Sequence, residues 1–91
     1  MNLAQQVSIS ADAISQEVSG ETVILDLKSE NYFGLDEVGT RIWQLAESTN
    51  TLQDIYDRML AEYEVDEDQL EEDMEKLFKQ LVDMGLVQLS D

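Results

Sequence analysis

Apolar and polar positions alternate one by one through the first third of this chain, then recur every three to four residues through most of the rest. Ile9, Ala11 and Ala13 interleave with Ser8, Ser10 and Asp12; then Ile14, Gln16 and Val18 interleave with Ser15 and Glu17. Period two predicts extended strand, and the parity shift near Ala13 predicts a bulge or break between two short pieces. Ser19-Gly20 is a tight-turn pair. Glu21 to Leu27 is the strongest strand, with β-branched Thr22, Val23 and Ile24. Val23, Leu25 and Leu27 share one of its faces, and Thr22, Ile24 and Asp26 the other. Lys28-Ser29-Glu30-Asn31 is a second turn, and Tyr32-Phe33-Gly34-Leu35 a third, very short strand. Connections this short favour an antiparallel meander. Residues 1–8 are polar and are expected to be loosely held.

At Asp36 the period changes to 3.6. Asp36 suits an N-cap, and Val38, Ile42, Leu45 and Ala46 form one helical stripe with Trp43 beside it, up to Ser48-Thr49-Asn50. Gly39 costs about 1 kcal/mol relative to alanine in a helix, so a packing reason is expected for it. Thr51, answered by Asp54, caps a second helix with Leu52, Ile55, Met59 and Leu60 at helical spacing. Asp66 caps a third, running from Glu67 to about Met84, with acids in its first turn where the helix dipole favours them. Its expected core stripe is Leu70, Met74, Leu77, Leu81 and Met84, widened by Phe78 and Val82. Gly85 is the expected stop, and Leu86 to Leu89 a short extended tail. Three strands followed by three helices predict an α+β fold of winged helix-turn-helix type: a three-stranded antiparallel sheet, with the helices at 51–63 and 66–84 in the helix-turn-helix position. The chain is read as a single domain, residues 1–91.

Charge then narrows the function. Twenty-one acidic residues against five basic ones give a net charge of −16. Binding to nucleic acid needs lysine and arginine to displace counterions, and anionic lipid repels such a chain. The helix in the recognition position carries Glu71, Glu72, Asp73 and Glu75 against Lys76 and Lys79, so a winged helix of this charge is expected to bind neither DNA nor membranes. There is no histidine and no cysteine. The commonest general base, the thiolate nucleophile and the usual zinc ligands are therefore missing. In the acidic run at 62–76, Asp66 and Asp68 alternate as in a calcium loop, but no glycine follows and Leu70 intrudes. The run reads as the solvated face of an amphipathic helix. No metal, no cofactor and no catalysis are expected. With no secretory signal and no apolar run approaching the roughly 18 residues of a membrane span, the expected location is the cytoplasm.

The strand Tyr32–Leu35 is short, aromatic and last in the meander, which places it at a sheet edge. An edge exposes unpaired N–H and C=O groups, and this one lacks the proline or lysine that would block a guest strand. An extended peptide can add there; alternatively, Tyr32 and Phe33 simply close the core. Met74, Phe78 and Val82 either line a groove beside this strand or belong to the core.

The runs VSGETVILDL, YFGLDxVGxxIW, TLxDI and LxxMGLV resemble the PqqD-like family, the precursor-peptide recognition elements of ribosomally made natural products. The likeness extends from about residue 12 to residue 87 and is nearest to the stand-alone proteins of lasso-peptide clusters. It implies a non-catalytic peptide chaperone that takes the leader region of a precursor peptide as an added strand. Carried onto this sequence, the strand is Asn31, Tyr32, Phe33, Gly34 and Leu35, and the helix face is Leu70, Asp73, Met74, Leu77 and Phe78. The implied second partner is a maturation enzyme, either a leader peptidase and cyclase or a radical enzyme. From another class stands an acidic regulatory subunit that meets a partner protein through its helical face.

Overall fold

The computed structural model describes residues 1–91. The order is β1 (Gln6–Ile9), β2 (Ala13–Val18), β3 (Glu21–Asp26), β4 (Tyr32–Leu35), α1 (Glu37–Ser48), α2 (Leu52–Glu62), α3 (Glu67–Asp83) and β5 (Val87–Ser90). β2, β3 and β4 form the expected antiparallel meander, with β3 in the centre and β4 at one edge. The break near Ala13 is also present: Ser10–Asp12 separate β1 from β2, with the Ser10 hydroxyl accepting from Asp12 N–H at 3.1 Å.

The C-terminal tail is extended as expected, whereas the N-terminal end differs from expectation. Residues 1–8 are tied down, because β1 pairs antiparallel with β5 in a second, two-stranded sheet. Val7 N–H donates to Asn50 C=O at 2.8 Å, and Leu52 and Gln53 N–H donate to the carbonyls of Gln5 and Leu3. These bonds link segments far apart in sequence, which local patterning does not register. β5 is aimed by the end of α3. Gly85, at φ +76°, donates to Val82 C=O while Leu86 donates back to Leu81 C=O, a Schellman turn that sends Leu86 into the core.

Facing in the meander also departs from a count of apolar side chains. Thr22, Ile24 and Asp26 of β3 are buried, whereas Val23 and Leu27 are about half exposed. Register supplies the reason. Leu35 opposes Thr22 and Phe33 opposes Ile24, and Leu35 leads directly into α1, so this row faces the helices. The outer face carries exposed Ile14, Val18, Val23, Leu27 and Tyr32. Behind the inner face lies one core that includes Ile24, Leu35, Ile42, Trp43, Leu45, Ile55, Met74 and Phe78. Arg41 of α1 clamps Glu62 of α2 through two hydrogen bonds of 2.7 Å; the guanidinium holds the Glu62 carboxyl below its usual range.

Candidate peptide-binding groove

β4 is held at both ends by side-chain carboxylates. At its start, Asp26 accepts from the Ser29 hydroxyl at 2.8 Å and from Lys28 N–H at 3.1 Å, while its backbone closes the turn through Asp26 N–H to Asn31 C=O and Glu30 N–H to Asp26 C=O. Glu30 sits at φ +63° in this turn. Just past its end, Asp36 keeps an extended backbone, while its Oδ1 accepts from Gly39 N–H at 2.8 Å and caps α1. One residue therefore ends the strand and starts the helix, which is why no loop intervenes. The glycine fits this junction: a Cβ on Gly39 would lie 3.2 Å from Asp36 Oδ1 and 3.3 Å from the Leu35 side chain.

The turn also fixes which backbone groups of β4 are free. Asn31 C=O points at β3, and in an antiparallel pair alternate residues point to alternate sides. Phe33 and Leu35 thus bond to β3, and the N–H and C=O groups of Tyr32 and Gly34 point away from the sheet. No strand lies beyond β4.

Beside this edge is a groove of about 520 Å³, within the size range of ligand clefts. Phe33, Gly34 and Leu35 of β4 form one side, Asp36 with Val38, Gly39 and Ile42 of α1 the floor, and Asp73, Lys76, Leu77 and Gln80 of α3 the other side. Phe33 and Leu77 are half-buried, so each offers part of its side chain to the groove. Lys76, a cation among Asp36 and Asp73, forms no ion pair.

Of the residues singled out from sequence, Phe33, Gly34, Leu35, Asp73 and Leu77 line the groove. Tyr32, 69% exposed, lies on the outer face of the edge strand, and Asn31 is exposed in the turn before it. Leu70, Met74 and Phe78 are in the core, with Met74 and Phe78 at 0% and 1% exposure, and do not reach the groove. Val82 faces solvent near β5. Sequence reasoning missed Asp36, Val38, Gly39, Ile42, Lys76 and Gln80. Two signals were present: a helix starting directly after β4 must bring its first turns alongside, and 76, 77 and 80 share a face with Asp73 at helical spacing. No grouping of acids that would hold a metal ion occurs, and no helix is long and apolar enough to cross a membrane.

The chain is similar to a solved structure described as "TbiB1 in Complex with the TbiA(beta) Leader Peptide", at 37% identity and a TM-score of 0.83, over 89% of this chain and 94% of that one. It also shares the fold of a "Lasso peptide synthetase B1 complexed with the leader peptide", at 22% identity and a TM-score of 0.78, over 90% of this chain and 96% of that one. No curated protein sequence matches it. The profile of the family described as coenzyme PQQ synthesis protein D (PqqD) matches residues 21–87, which hold β3, β4, the three helices and the first residue of β5. The chain belongs to the PqqD family.

Proposed function

We propose that this chain is a non-catalytic recognition protein that binds the leader segment of a ribosomally made precursor peptide and presents it to a maturation enzyme of lasso-peptide type. The observation that carries this reading is the unpaired edge of β4 lying beside an apolar-floored groove. The leader adds as a strand along Tyr32–Leu35, bonding to the free groups of Tyr32 and Gly34, and its inward side chains enter the groove between Phe33 and Leu77. The likeness to TbiB1, described in complex with a leader peptide, supports a leader peptide as the guest.

The magnitudes suffice. Each new backbone hydrogen bond nets about 0.5–1.5 kcal/mol, and each apolar anchor buried in the groove about 1.5–3 kcal/mol. Ordering a flexible leader costs several kcal/mol of this. The balance falls at micromolar to nanomolar affinity, about −8 to −12 kcal/mol. A second contact, to the enzyme, would hold the core peptide near its active site at roughly millimolar effective concentration, so rate is gained without a catalytic group on this chain.

Titration of the fluorescein-labelled TbiA(beta) leader peptide, and of the leader of any short precursor encoded beside this chain's gene, tests the reading. Saturable binding is expected, weakened about tenfold or more by Phe33→Ala and by Leu77→Ala. Binding that both substitutions leave unchanged contradicts the groove, and no binding of either peptide contradicts the function.

A further inference from the structure

Gly34 is a glycine the fold does not require. Its φ is not positive, unlike those of Gly20 and Gly85. A Cβ built on it meets no atom within 4 Å. Inside a strand glycine costs backbone entropy and leaves nothing to pack, so a β-branched residue here would stabilise the chain by itself. Around it the outer face is apolar. Val23, 45% exposed, pairs directly with Gly34 across the sheet, and Tyr32, 69% exposed, lies two residues along on the same face. The result is a notch at the open corner of the sheet, with the Gly34 backbone as floor, Val23 as back wall and Tyr32 as one side.

We infer that this notch is a specificity site for one large apolar or aromatic side chain of the guest peptide. Gly34 points its N–H and C=O at the open edge, so a guest residue paired opposite it shares its face and projects outward, away from the groove. Its side chain can lie flat across Gly34 and reach Val23, an arrangement in which an aromatic ring covers a strand glycine. Val23, Gly34 and Tyr32 offer apolar contact and no charge, and Glu21, exposed on the same face two residues from Val23, disfavours an acidic guest side chain there. The inference rests on the leader-binding reading and adds to it. The groove reads the inward side chains of the guest, and the notch reads an outward one.

The test separates folding from recognition. With the tighter-binding of the two labelled leader peptides, Gly34→Val is expected to raise the thermal midpoint of the free chain while weakening binding about tenfold or more. Val23→Ser removes the back wall and is expected to weaken binding as well, with losses that do not add in the double variant because both act on one guest side chain. An alanine scan of the peptide should find one large apolar residue whose loss weakens binding to the wild-type chain but hardly to Gly34→Val. Binding within about twofold of wild type in both variants overturns the notch and leaves leader recognition standing. Failure of the wild-type chain to bind either peptide overturns both.

Discussion

Asp26 is 8% exposed and faces the helices, yet it is not an orphaned charge. The Ser29 hydroxyl, and after it the Lys28 N–H, hold its carboxyl below the ordinary 3.8, against the opposing effect of burial. A carboxyl depressed in the folded state contributes stability that is complete above its unfolded pKa and is lost as pH falls through the folded one. Asp26→Asn keeps an acceptor but loses the charge. The stability gap between wild type and Asp26→Asn should therefore be widest above about pH 5 and close as pH drops below about 4. Denaturant titrations of both proteins across that range measure it, and a gap independent of pH contradicts the assignment. Comparing two proteins also cancels the relief of general charge repulsion that acid brings to an acidic chain. Because Asp26 fixes the turn before β4, the same substitution acts on the strand proposed to receive the guest. Gly39 shows the other kind of residue-scale reason. The sequence asked for a packing explanation, and the structure gives one in the capping carboxylate of Asp36 and in the close approach of α1 to Leu35 of the sheet.

At the scale of elements, the order of strands and helices in the meander and the three caps were legible, because each rests on neighbours in sequence: Asp36, Thr51 and Asp66 each accept from the N–H three residues on. What was not legible depends on distant partners. β1 and β5 are defined by pairing with each other across almost the whole chain. The buried face of β3 is chosen by Leu35 and Phe33 opposite it, against its own apolar count. On α3, periodicity put Leu77 in the core stripe and left its neighbour Phe78 to either core or groove, a choice that only tertiary contacts make. The core takes Phe78, 1% exposed, while Leu77 turns to the groove. This division is measurable. Phe78→Ala should lower unfolding free energy by about 3–5 kcal/mol, as emptying a core aromatic site does. Leu77→Ala should cost much less stability and act mainly on peptide affinity. Chemical denaturation of both variants beside the binding titration distinguishes them, and comparable stability losses would contradict the placement.

For the molecule as a whole, charge and topology act together. The −16 charge steers a positively charged partner toward the chain over about one Debye length, roughly 8–10 Å at physiological salt. It also explains how a helix-turn-helix order can serve something other than nucleic acid. Steering does not select a sequence; selection needs a surface that reads side chains, and the surface proposed for it is the edge of β4 with the groove on one side and the outer sheet face on the other. Leader recognition of this kind requires those edge groups to be vacant in the free chain and filled by the leader. Amide hydrogen exchange at Tyr32 and Gly34, resolved by NMR in the free chain and with saturating leader peptide, measures this directly. Fast exchange at both amides in the free chain, slowed strongly on binding, is the predicted result, while Phe33 and Leu35, already bonded to β3, change less. Slow exchange at Tyr32 and Gly34 before any peptide is added, or no slowing when binding is saturated, would contradict it.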